Sequence, residues 1–144
     1  MPQDSDTRAQ TRIGRLAAYL PALRGPADTW IEITPLRGSG TVPDPYVMSS
    51  GVPRLTQAAL EFVEMLYDAG WVLEDFDWVQ WVETVEGRTL HSDVGAVAAA
   101  TEPQIAMLLT ALVRRDRFAD GVVAEAFRTG LMAAIAARAA ALGS

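Results

Sequence analysis

"RLTQAALEFVEMLYDAGW", residues 54–71, decides the fold. Leu55, Ala58, Ala59, Phe62, Val63, Leu66 and Ala69 recur at three- and four-residue intervals and make one apolar stripe at helical spacing, while Gln57, Glu61, Glu64 and Asp68 make a polar one. Gly70, just past the last apolar position, is a stop signal, because glycine enters the left-handed conformation that ends a helix without a Cβ clash. An amphipathic helix follows, apolar side to a core and acidic side to water.

The same logic extends in both directions. Downstream, "FDWVQWVETVEG" offers Asp77 as N-cap with Gln80 at capping-box spacing, an apolar face of Trp78, Trp81, Val82 and Val85, and Gly87 to close the helix. "TEPQIAMLLTALVRRDRF" repeats the pattern, with Thr101 as cap, Pro103 in the first turn, Gln104 at the box position, and a stripe of Ile105, Leu108, Leu109 and Leu112. A last helix starts at Asp120 and carries Phe127, Leu131, Ile135 and Leu142 on one side. Upstream, Ile13, Leu16, Leu20 and Leu23 share a face opposite Arg8, Arg12 and Arg15, and Pro21 with the "RGP" at 24–26 ends that helix. Between them, residues 27–53 hold or border five of the eight prolines, so an irregular excursion is predicted there, with "TWIEI" as a short strand. The expected fold is all-α: a flexible tail over 1–8, then a single-domain bundle of about five helices over 9–144.

Composition removes much of enzymology. The 144 residues contain no cysteine, one histidine and, since all twelve basic residues are arginine, no lysine. Thiolate zinc sites, a thiol nucleophile, a polyhistidine metal cluster, Schiff-base chemistry and a phosphate-loop lysine are therefore excluded, and neither cofactor nor metal is expected. No Gly-x-Ser-x-Gly elbow exposes a serine, so no catalytic residue is assigned. His91, in "RTLHSD", is expected at a turn or surface. No apolar run approaches the roughly 20 residues of a membrane helix and the N-terminus lacks the apolar centre of a secretory signal, so no membrane role and a cytoplasmic location are expected. A net charge of −6, concentrated in a stretch without a base from Leu55 to Gly87, disfavours nucleic acid as a partner and makes a protein with a basic surface the expected one.

One charge is out of place. In "LVRRDRFADG", helical rotation returns Asp116 to the stripe of Leu109 and Leu112, where an arginine or a set of backbone donors must meet its carboxylate; Arg138, on the apolar side of the final helix, is the expected partner, with Arg88 as the alternative. The aromatic group Trp71, Phe76, Trp78 and Trp81 packs a core or, with Tyr46 and with Arg114 or Arg117 as an anion-binding wall, lines a pocket; Asp77 and Asp116 are the carboxylates that such a site would use.

Taken together, Pro45-Tyr46, Tyr67-x-x-Gly70-Trp71, Phe76-Asp77-Trp78 and Arg114-x-x-Arg117-Phe118 resemble an uncharacterised bacterial and phage family of domains of unknown function, over roughly residues 44–138. The resemblance brings no activity with it. Val47 and Met48 stand where more aromatic residues belong to that pattern, and "AIAAR" replaces a bulkier, leucine-rich final helix.

Two functions fit these observations. One is a small acidic protein-interaction domain of the immunity, antitoxin or phage-inhibitor type, with Glu61, Glu64 and Asp68 as its contact face. The other is a small-molecule or anion-binding domain, or an enzyme, with its site between the Pro45-Tyr46 segment, "FDW" and "RDRF".

Overall fold

The computed structural model describes residues 12–32, 54–116 and 121–143. The expected tail over 1–8, the greater part of the 27–53 excursion, Tyr46, Arg117 and the Asp120 cap lie outside them. The architecture is an all-α bundle, as the periodicity predicts. Helix α1 covers 12–17 and α2 covers Leu20–Leu23; a 3-10 turn at Ala27–Thr29 leads into β1, Ile31–Glu32. After β2, Arg54–Leu55, come α3 (Gln57–Asp68), α4 (Trp78–Val82), α5 (Val85–Ser92), α6 (Val94–Val97), α7 (Glu102–Asp116), α8 (Val122–Arg128) and α9 (Leu131–Leu142). The strands pair antiparallel through Ile31–Leu55 and Glu32–Arg54, which makes the predicted strand in "TWIEI" a two-residue clip.

Helix α7 is the axis of the molecule. Ile105, Ala106, Leu108, Leu109, Thr110, Ala111, Leu112 and Val113 are all buried, so it is covered on more than one side, by α4, α5, α8 and α9. Helix α9 in turn packs on α2 and α6 through alanines and Leu131, Met132 and Ile135. The deciding helix, α3, buries Ala59, Phe62, Met65 and Leu66. Its end is a Schellman motif: Gly70 sits at φ +86°, its N–H bonds the Tyr67 carbonyl at 3.2 Å, and the Trp71 N–H bonds Leu66 at 2.9 Å. Leu66 and Trp71, both fully buried, supply the apolar contact that goes with that motif.

Several boundaries differ from the sequence reading, each for a local reason. Helix α3 starts later than Arg54, because Leu55 is held in β2 and Thr56 is the N-cap, its hydroxyl accepting from Ala59 N at 3.2 Å and donating to the Thr29 carbonyl at 2.6 Å. The helix expected from Asp77 to Gly87 is two helices. Thr84 caps α5 by accepting from Gly87 N at 3.0 Å, and a Cβ on Gly87 would stand 2.1 Å from the Trp81 carbonyl oxygen, so this glycine is the close approach of α4 and α5 rather than a terminator. The break turns Val85 away from the core, to 81% exposure, and puts "RTLHSD" on α5 instead of in a turn. The final helix is likewise divided, at Gly130 with φ +86°, and Pro21 both ends α1 and opens α2. The bundle accordingly holds more and shorter helices than the expected five.

The expected aromatic residues Trp71, Phe76, Trp78 and Trp81 pack in or against the core, and a second cluster joins them. Tyr19, Trp30, Phe62 and Phe127, from four separate parts of the chain, form a ring cluster in which Trp30 and Phe127 stack at 5.1 Å and Tyr19 meets Phe62 edge-on at 4.9 Å.

Candidate functional site

Trp71 is committed to the fold. Its indole is fully buried, its Nε1 donates to the Arg12 carbonyl at 3.1 Å, and the Arg12 guanidinium lies 4.5 Å above the ring. That guanidinium also donates to the Gly70 carbonyl at 2.8 Å and pairs with Glu102, so α1, the α3 terminus and the start of α7 are tied together at one point. Trp81 is committed too: it is nearly buried, packs against Phe76 at 5.9 Å, and donates from Nε1 to Glu86 at 2.8 Å. Glu86 accepts a second bond from Gln104 at 2.7 Å, and these two donors, Trp81 first, hold its carboxyl below the usual carboxylate range. Gln104 meanwhile completes the predicted capping box with Thr101.

Asp77 caps α4 from an exposed position, accepting from Gln80 N at 3.1 Å, and Trp78 is half-buried beside it. Arg114 does reach the turn after Trp71, donating from Nη2 to the Leu73 carbonyl at 3.1 Å; its buried Nε has no hydrogen-bond partner among the described residues. Thr110, one turn earlier, has a fully buried hydroxyl that accepts from Leu73 N at 2.9 Å and is bonded to the Trp71 and Ala106 carbonyls. Helix α7 and the Trp71 turn are therefore neighbours through Arg114 and Thr110, and the contacts among them serve mainly to fix the turn.

The expected Asp116–Arg138 bridge does not form. Asp116 is only half-buried, at the end of α7, and its Oδ1 accepts from Val123 N at 3.1 Å in the first turn of α8, while Arg138 Nε donates to the Ala100 carbonyl at 2.7 Å. A backbone donor meets the carboxylate because α8 begins at Gly121, with φ +95°, and has no N-cap side chain of its own.

Glu61, Glu64 and Asp68 all point outward from α3, as the stripe predicts, and Asp68 pairs with Arg15 at 3.0 Å. Arg12 and Arg15, two members of the basic stripe on the first helix, are thus both engaged with acids of this chain. Leu60 and Tyr67 share the outer part of α3 with these acids, at 50% and 40% exposure, and a shallow cleft of about 530 Å³ runs beside it, lined by Arg15, Tyr19, Glu61, Glu64, Met65 and Asp68.

A second cleft, which the sequence reading missed, opens between α5, α7 and α8. It has a volume of about 540 Å³, and its wall includes His91, Arg115, Glu125, Leu112, Val122 and Ala126. His91 and Arg115 also border a smaller recess of about 240 Å³. His91 is half-buried, its buried Nε2 has no hydrogen-bond partner among the described residues, and burial first, then the positive charge of Arg115, pushes its pKa below 6.5. Two caps would have revealed the helix that carries it, because Thr84 and Asp93 bracket residues 85–92. Its convergence with Arg115 had no local signal.

Among the described residues, no group of three or more His, Asp or Glu side chains is placed to hold a metal ion, and no helix is long and apolar enough to cross a membrane. Residues 8–144 match the model of the family of unknown function DUF6508, which covers nearly the whole sequence and includes the motif region at 44–138; the chain belongs to that family. No curated protein and no solved structure matches it.

Proposed function

We propose that this member of the family is a protein-interaction domain whose contact surface is the outer face of α3. The observation that carries the reading is the composition of that face. Leu60 and Tyr67, seven residues apart and therefore two turns along one side of the helix, stand exposed among Glu61, Glu64 and Asp68. Apolar side chains of this size set among like charges suit a partner that brings apolar pockets rimmed with arginine or lysine: the acids steer the encounter and the apolar pair anchors it. A net charge of −6 and the engagement of Arg12 and Arg15 within the chain support the same choice over a phosphate backbone. A role of the immunity, antitoxin or phage-inhibitor type, exercised in the cytoplasm, fits that chemistry.

The test is affinity capture from the native host followed by mass spectrometry, using wild type, a Glu61→Gln/Glu64→Gln/Asp68→Asn variant and a Leu60→Ser/Tyr67→Ser variant. A partner recovered by wild type is expected to fall roughly tenfold or more with either variant, and more steeply for the charge variant at low salt. Equal recovery with all three discards this surface.

A further inference from the structure

The cleft between α5, α7 and α8 lies outside the α3 surface, and its chemistry is of another kind. Three observations define it. First, its charge is unbalanced. Glu125 faces the cleft, but Arg128 holds it through both nitrogens of a fork, with Nε to Oε2 at 2.8 Å, so its negative charge is already neutralised. Arg115 faces the same space and has no acid partner among the described residues. Among the described residues, a chain that is acidic as a whole therefore presents one guanidinium without an acid partner at this point.

Second, His91 lines the same cleft, with its Nε2 buried beneath the surface and without a hydrogen-bond partner among the described residues. Arg88, the other cation beside the adjoining recess, is exposed and turned to Glu83 at 3.4 Å, so Arg115 is the cation left for a ligand among the described residues. Third, the rest of the wall is largely apolar: Leu112, Val122, Ala126 and Leu131 line it, and its volume of about 540 Å³ falls within the range of small-molecule sites, roughly 300–1,000 Å³.

We propose that this cleft binds a small carboxylate with an apolar body, the carboxylate held by Arg115 and the body lying beside His91 and against Leu112, Val122 and Ala126. The planar guanidinium presents a two-pronged donor that matches a carboxylate, and the apolar wall rejects an anion that has no such body. A ligand of this class pairs the Arg115 guanidinium and covers the apolar wall together.

Octanoate is a suitable probe, and the chain carries its own reporter, because His91 is the sole histidine and its ring signals are unique in a proton–carbon NMR spectrum. Titrating the full chain with octanoate is expected to move those signals saturably. Arg115→Gln, at an exposed position that leaves the core untouched, is expected to weaken binding roughly tenfold or more, and 1-octanol and inorganic phosphate are each expected to bind roughly tenfold more weakly than octanoate, one lacking the charge and the other the apolar body. Glu74→Gln, an exposed position outside the cleft, is expected to bind within about twofold of wild type, and a larger loss there would count against a site confined to the cleft. The proposal is overturned if octanoate leaves the His91 signals unmoved, if Arg115→Gln binds as wild type does, or if 1-octanol or phosphate matches octanoate.

Discussion

Around Trp71 the polar groups, the buried Arg114 Nε excepted, are closed upon one another; around His91 they are left open. At the first place an indole N–H, a guanidinium, a carboxylate and a buried threonine hydroxyl all find partners within the chain, and three helices are held by them. At the second, the buried His91 Nε2 and the Arg115 guanidinium stand beside a cleft without such partners among the described residues. Both places combine an arginine with a ring and an apolar surround, so residue types alone do not tell them apart. The difference is whether the hydrogen-bonding capacity is used up. A closed network rigidifies a fold, whereas an open one can gain free energy only from something that arrives.

The strongest way to break this contrast is at Trp71. Trp71→Ala is expected to destabilise the chain by about 3–5 kcal/mol, since it removes the largest fully buried side chain and leaves Arg12 without its ring. Urea denaturation should show a lower midpoint at unchanged slope. A loss below about 1 kcal/mol would mean that the junction is not the structural knot described.

A smaller effect is expected one turn of α7 away. Thr110→Val keeps the shape but leaves the Leu73 N–H buried with no acceptor, at a cost of about 1–3 kcal/mol. Thr110→Ser, which keeps the hydroxyl, should recover more than half of that loss in the same denaturation measurement.

The smallest effect sharpens the other side. Because His91 has a pKa below its ordinary value in the folded chain, the folded form binds its proton less readily than the unfolded form. Its neutral state is fully favourable above the unfolded value near 6.5, and stability is lost as pH falls from there toward the depressed folded value. Wild type should therefore lose more stability between about pH 7.5 and about pH 5 than His91→Asn, a variant with nothing to protonate at that position. Parallel pH profiles for the two would show that the cleft does not desolvate the imidazole.

Much of the helical framework was legible because it is written in adjacent residues. The α3 stripe, the Gly70 stop, the Asp77 cap and the Thr101–Gln104 box each need only a turn or two of chain, and the structure holds all of them. Glu61, Glu64 and Asp68 face solvent for the same reason. The failures have the opposite character. Gly87 is a helix stop in any short window, and only the approach of Trp81's carbonyl shows that it is a contact point. Asp116 falls on an apolar stripe by rotation, yet it stands where α7 ends and α8 needs an acceptor, so Val123 rather than Arg138 meets it.

Local sequence thus determined that the chain would be helical, where most apolar faces would lie and which side of α3 would carry the acids, because helix periodicity and capping act over about four residues. Tertiary structure alone decided that Trp30, Phe62 and Phe127 meet, that Arg12 covers Trp71, and that His91 on α5 and Arg115 on α7 open onto one cleft. Those pairings depend on how separate helices stack. A stripe specifies that a face must be buried, but not which other face will bury it.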